Sequence, residues 1–241
     1  MKPWQLAAVS TVVTLAIGGT YLFTVWRHRH EPTAAETADT RSRIERLDEV
    51  AVVRAHFPTS FDDLRALEGK PVWMKNGYTM SYYPYAGGKV EFAKPAGVIP
   101  ATARLDVTKI VRASAPANAH DGMEPAGPQA FAVFSLAGKP DLYAIPVATL
   151  TRGSEAYYTD ILFFYDDPHT IYDHWAPEVW AAVDAHRAQA GMSELEVRLA
   201  LGQKSHADGS EAGNRTITYD VGGKHWTVTF AENRVTAVRE Q

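Results

Sequence analysis

Apolar and polar positions change rhythm along this chain, and the changes divide it. From Trp4 to Trp26 the sequence is uncharged throughout (WQLAAVSTVVTLAIGGTYLFTVW), with Lys2 before it and Arg27 and Arg29 after it. At 1.5 Å per residue such a helix measures about 34 Å, enough to cross a bilayer core. Trp4, Tyr21 and Trp26 stand near its ends, where amphipathic rings favour the membrane interface. The run is longer than a signal-peptide core and no small-residue cleavage site follows it, so an uncleaved single-pass anchor over residues 1–29 is expected. More Lys and Arg follow the run than precede it. That bias places the body on the cytoplasmic side of a bacterial-type inner membrane, with the periplasmic side as the alternative.

Residues 30–69 read as a linker and short helices. Positions 30–42 are small, polar and Pro-containing. Ile44, Leu47, Val50 and Ala51 then recur at helical spacing, predicting an amphipathic helix over 44–56 that Pro58 closes. Ser60 and Asp63 have the spacing of a capping box on a further turn or two of helix ending at Gly69. Over residues 70–165 the pattern becomes short β-type runs: 71–74, 78–83, 89–92, 105–111, 130–136, 142–147 and 160–164. Asn76-Gly77, Gly87-Gly88 and the stretch from Ala137 to Pro140 supply turns, and 113–128 is a loop by composition. Closely spaced short strands predict a small barrel or sandwich. Beyond 166, Pro177 opens a helix that stops at Gly191, and Ser193 with Glu196 forms a capping box for a second helix ending at Gly202. A polar loop over 203–214 leads to alternating runs in which Ile217, Tyr219 and Val221 share one face and Trp226, Val228 and Phe230 the next. Two helices and a three-stranded antiparallel meander are expected over 166–241, which makes the fold class α+β.

The residues Gly191, Met192, Ser193, Val197, Leu201 and Gly202, followed by Tyr219, Trp226, Val228, Phe230 and Val235, resemble the small outer-membrane assembly lipoprotein domain (SmpA/OmlA, or BamE-like). The resemblance implies a helix–helix plus sheet module that binds other proteins. Two departures separate the chain from that family's outer-membrane role. It has no cysteine to acylate, and a β-rich segment stands between the anchor and the resembling part. Residues 67–77 (LEGKPVWMKNG) look like the opening of an SH3-like barrel, which specifies no ligand.

Composition removes several kinds of chemistry. Without cysteine there is no disulfide, thiolate metal site or thiol nucleophile. A net charge of −4 with no dominant Lys/Arg face gives no nucleic-acid footprint. Nucleophile-elbow, phosphate-loop and dinucleotide motifs are absent; Gly87-Gly88-Lys89 and Gly222-Gly223-Lys224 read as hairpin turns. The densest polar cluster is Asp166, Asp167 and His169 with Asp173 and His174, which could hold a divalent metal or share a proton. The same residues suit a plain strand-to-helix turn, because Asp-Pro starts turns and Asp caps backbone N–H groups. Aromatic residues cluster at Tyr82, Tyr83 and Tyr85 and at Tyr157 and Tyr158, as contact residues for a partner or as core.

Together these features predict a non-enzymatic, membrane-anchored accessory or scaffolding subunit that docks on and stabilises a larger membrane complex, such as an energy-converting assembly. Membrane lipid and subunits of that complex are the expected partners, through Trp4, Tyr21, Trp26, Tyr82, Tyr83, Tyr85, Tyr157 and Tyr158. No nucleic acid, cofactor or catalytic residue is expected. The competing readings are a periplasmic envelope-assembly factor and a metal-dependent enzyme or sensor built on Asp166 and His169.

Overall fold

The computed structural model describes residues 20–23, 26, 34–75, 77, 80–119, 123–136, 139–221 and 223–240. The chain forms two compact units, Met1–Val50 and Ala51–Gln241.

In the first unit, α1 runs over Ala34–Val50, and residues 20–23 and 26 are helical. Tyr21, Leu22, Phe23 and Trp26 are exposed. Among the described residues no helix is long and apolar enough to cross a membrane. The longest, α1, is charged along its length (AAETADTRSRIERLDEV). This overturns the single-pass anchor and with it the inner-membrane placement. The remainder of the apolar run, Trp4 included, lies outside the described residues, as do Asn76, Ala137, Gly138 and Gly222 of the expected turns. The amphipathic helix expected over 44–56 is also displaced. Helix α1 begins ten positions earlier, in the segment read as linker, and ends at Val50. Ala, Glu and Arg favour helix over 34–49, whereas the β-branched pair Val52-Val53 ahead of Pro58 favours extended chain.

The second unit is mostly sheet. Short α2, Phe61–Leu64, is capped by the Ser60 side chain accepting from the Asp63 N–H, and a 3₁₀ turn, Arg65–Leu67, continues it. Strands follow: β1 Pro71–Met74, β2 Ser81–Ala86, β3 Lys89–Val90, β4 Gly97–Val98, β5 Arg104–Ser114, β6 Pro128–Leu136, β7 Leu142–Thr149 and β8 Ala156–Tyr157. The strand expected at 160–164 is instead a helical turn, α3 Thr159–Leu162, that feeds a two-residue strand, β9 Phe163–Phe164. All nine strands join in one antiparallel sheet ordered β3-β2-β7-β6-β5-β1-β9, with β4 on β2 and β8 on β7. The strands expected to form a small SH3-like barrel lie in this sheet. Its ladders follow a linear path, and among the described residues none joins β3 to β9.

Strand β6 explains why the sheet is stable. Its residues alternate faces, yet both faces are covered, so Gln129 through Phe134 are all buried. Ala130, Ala132 and Phe134 pack with Leu64, Leu67, Met74, Leu105, Ile145 and Leu162 on one side. Phe131 and Val133 pack with Tyr83, Ala115, Met123 and Ala144 on the other. A strand buried on both faces needs a continuous apolar run, and residues 130–134 (AFAVF) are one.

Past β9, α4 Pro168–Ile171 and α5 Pro177–Asp184 lead to α6 Glu194–Leu201. The capping box on α6 forms in both directions: Ser193 Oγ accepts from the Glu196 N–H at 3.2 Å, and Glu196 Oε2 accepts from the Ser193 N–H at 2.6 Å. A second antiparallel sheet follows in the order β10-β11-β12-β13, made of Lys204–Asp208, Thr216–Val221, Lys224–Ala231 and Arg234–Glu240. It has four strands where three are expected. The addition, β10, lies in the segment read as a polar loop and pairs with β11 through an irregularity between Lys204 and His206. Ile217, Tyr219, Val221, Val228 and Phe230 are buried in this sheet. Helix α6 packs on β11, and α5 on α6.

Candidate docking cleft

The Phe57-Pro58 step organises one edge of the larger unit. A proline disfavours the right-handed helical conformation at the residue before it. Phe57 takes φ +47°, a left-handed conformation that costs a non-glycine residue about 1 kcal/mol or more. The compensation comes from Asp160, at the start of α3. Its Oδ1 accepts the His56 N–H at 2.9 Å, its Oδ2 accepts the Phe57 N–H at 2.8 Å, and the Tyr165 hydroxyl donates to Oδ1 at 2.6 Å. Burial alone would raise the Asp160 pKa. The bonds from His56, Tyr165 and Phe57 outweigh burial and hold the carboxyl below its ordinary value. Burial, followed by the bond to Asp160, raises the Tyr165 phenol in turn. The His56 ring meets the Tyr165 ring edge-on at 4.2 Å, and Arg54 pairs with Asp166 at 3.2 Å. Thus clasped, the segment leaves the Phe57 side chain 78% exposed, while Ile161, next to the clasping aspartate, is 59% exposed.

Ile161 is also the rim of a half-open cleft of about 400 Å³. Leu195 and Ile217 complete its apolar wall, and Arg198, Gln203 and Tyr219 supply polar groups. At one end Glu194 and Arg215 form a two-point ion pair, with Arg215 Nε donating to Oε1 at 2.9 Å and its terminal nitrogen to Oε2 at 2.7 Å. The Gly213 N–H donates to the same Glu194 Oε1 at 2.7 Å, which fixes the loop before β11 to the start of α6. The Tyr219 phenol is pushed up by burial and then by the Glu194 charge. Lys75, at the end of β1, donates to the Asp160 carbonyl at 3.4 Å and lies over the Phe164 ring at 5.6 Å. Its ammonium pKa is lowered by burial and then by repulsion from Arg198, against the pull of Asp160. The Gln203 N–H donates to the Gly77 carbonyl at 3.3 Å, so the cleft lies where the two sheets of this unit meet.

The aspartate–histidine cluster takes a different form from a metal site. Asp167 caps α4 by accepting the His169 N–H at 2.9 Å, and its Oδ1 lies 3.0 Å from His169 Nδ1. His169 Nε2 lies 3.3 Å from Asp184 in the last turn of α5. Both ring nitrogens therefore face carboxylates. The ring also stacks on Trp180 at 3.9 Å; Trp180 meets Trp175 at a tilt of 36°, and Trp175 stacks on Tyr172. His174 has its Nδ1 4.0 Å from Asp173 and its ring edge-on to Tyr172 and Trp175, and Asp166 pairs with Arg54. Among the described residues no three His, Asp or Glu side chains converge so as to hold a metal ion. The cluster ties α4 to α5.

Of the aromatic residues expected at a partner surface, Tyr83 is buried in the core, and Tyr82, Tyr157 and Tyr158 pack against the other face of the sheet, half-buried. Tyr82 meets Tyr143 edge-on at 5.1 Å, and Lys109 caps the half-buried Tyr85 ring at 4.6 Å. Tyr21 and Trp26 are exposed in the first unit, and Trp4 lies outside the described residues. Phe57, Asp160, Ile161 and Arg198 escape a reading of the sequence because tertiary structure alone brings them together. The one local sign is a large aromatic residue directly before a proline, a position that disfavours helix.

No protein-family model matches the chain, and no curated protein or solved structure is significantly similar to it.

Proposed function

We propose that this chain is a non-enzymatic accessory subunit that docks on a partner protein and stabilises a larger assembly. The observation that carries the reading is the Asp160 clasp. Three hydrogen bonds converge on one carboxylate to hold Phe57 in an unfavourable backbone conformation with its ring in solvent. Covering a solvent-facing apolar ring is favourable, and strained backbone at a surface is a mark of binding sites. Ile161, next in sequence to the clasping Asp160, is a second exposed apolar residue and stands at the mouth of the cleft. Rigid aromatic anchors beside a pocket are the usual centre of a protein interface.

The test is site-specific photo-crosslinking in cells, with a photoreactive phenylalanine analogue at position 57 and, as control, at the exposed Lys94. The expected result is a discrete crosslinked protein at 57 and none at 94. Once purified, that protein should bind the chain and lose about tenfold in affinity on Phe57→Ser. Identical crosslinking patterns at 57 and 94, or equal affinity of wild type and variant, would refute the reading.

A further inference from the structure

The chemistry of the cleft specifies its occupant more narrowly. Helix α6 presents two charged residues one turn apart to the cleft, Glu194 and Arg198. Glu194 is committed: its oxygens accept two bonds from Arg215 and one from the Gly213 N–H. Arg198 has no such commitment. It is exposed, lines the cleft, and has no carboxylate among the described residues within ion-pair distance. A cation in the last turn of a helix is favourable in itself, which accounts for an arginine there. Helix position does not account for the second cation, Lys75, which lies just outside the cleft wall with its ammonium donating to the Asp160 carbonyl at 3.4 Å, beside Ile161; Arg198 repels it there. Two like charges at the edge of an apolar cleft are stabilised together by one incoming anion. The chain as a whole carries −4, so attraction of an acidic segment to Arg198 acts at short range, once its carboxylate has reached the cleft.

The apolar wall defines the rest. Ile161, Leu195 and Ile217 lie beside Arg198, and a volume of about 400 Å³ admits a pair of side chains rather than a folded element. In an extended peptide, residues i and i+2 point the same way, so a carboxylate and a large apolar side chain at that spacing enter together.

We propose that the cleft binds an extended acidic segment of the partner protein, one carboxylate on Arg198 beside Lys75 and a Leu-, Ile- or Phe-type side chain against Ile161, Leu195 and Ile217. This rests on the docking function proposed above and names the chemistry of the docked segment.

The test is selection of random peptides of about twelve residues on the immobilised 241-residue chain, followed by fluorescence anisotropy of the synthesised winners. The expected winners carry Asp or Glu two positions from a large apolar residue. Arg198→Glu weakens them about tenfold and Lys75→Gln by about threefold. Selection on the Arg198→Glu chain, which should stay folded although losing the helix-end cation lowers its stability by about 1 kcal/mol or less, enriches Lys and Arg instead. Failure to enrich any peptide, enrichment without acidic bias, or acidic winners indifferent to Arg198→Glu would each overturn the inference. So would binding that appears only when a serine in the peptide is phosphorylated. Crosslinking at position 57 separates the two proposals: if it captures the same partner undiminished in the Arg198→Glu chain, docking stands and the acidic segment does not.

Discussion

The two sheets of the larger unit solve burial differently. In the nine-stranded sheet β6 is covered on both faces, and consecutive residues from Gln129 to Phe134 are buried. In the four-stranded sheet β12 buries Val228 and Phe230 while Thr227 and Thr229 stay partly exposed. The first pattern is a continuous apolar run and the second an alternation, and each follows from what lies above and below the strand. A sheet with one bare face leaves room at its margin. There the helix that covers it meets the neighbouring sheet, and the cleft opens between them.

Substitutions can break this contrast, and the largest effect belongs to β6. Phe134→Ala should cost about 3–5 kcal/mol in urea unfolding, and Val133→Ala, on the opposite face, more than about 1 kcal/mol. In β12, Val228→Ala should behave like Val133→Ala, while Thr227→Ala should stay within about 0.5 kcal/mol. A neutral Val133→Ala would mean that the second face of β6 is not sealed. Next in size is Asp160→Asn, expected to cost about 1–3 kcal/mol through the weakened bonds to His56, Phe57 and Tyr165. The pH dependence follows from the lowered Asp160 pKa. Because the folded carboxyl titrates below the unfolded one, its stabilisation is complete above the ordinary carboxylate value of about 4 and fades as the pH falls below that. Hydrogen exchange at the His56 and Phe57 amides should therefore quicken, relative to its intrinsic rate, below about pH 4 in wild type and at every pH in Asp160→Asn.

Ser193→Ala, which opens the capping box of α6, should cost about 1 kcal/mol and make thermal unfolding correspondingly earlier. The smallest expected effect concerns His169. Zinc titration of wild type and His169→Ala should give indistinguishable heats, since Asp167 and Asp184 already occupy both ring nitrogens. Zinc binding that His169→Ala abolished would assign the cluster to a metal after all.

Local signals in the sequence are clear where a short pattern favours one conformation. The capping box at Ser193 and Glu196, the run that becomes β6, and the alternation through Ile217, Tyr219 and Val221 all appear at the expected places. The misses have physical causes. Strand β10 (KSHAD) has no apolar alternation because it is an edge strand held by its ladder with β11. The run Asp160–Phe164 is apolar enough for a strand, but Asp160 is drawn into the clasp with residues 56 and 57, more than a hundred positions away. The aspartate–histidine cluster was visible as a cluster. That it joins two helices through Asp184 was not, because Asp184 lies outside it in sequence. The cleft gathers Ile161, Arg198 and Tyr219 from three separate elements, which no spacing rule links.

The pairing of β9 with β1 has a consequence for synthesis. Trp73 and Met74 find Phe164 and Phe163 across the ladder, about ninety positions later in the chain. At ordinary ribosomal rates of about 5–20 residues per second, the outer edge of β1 waits about 5–20 s for its partner. During that interval the emerging chain carries an open, apolar strand edge, the kind of surface that recruits chaperones or seeds aggregation. A chain halted before residue 163 should keep that edge permanently.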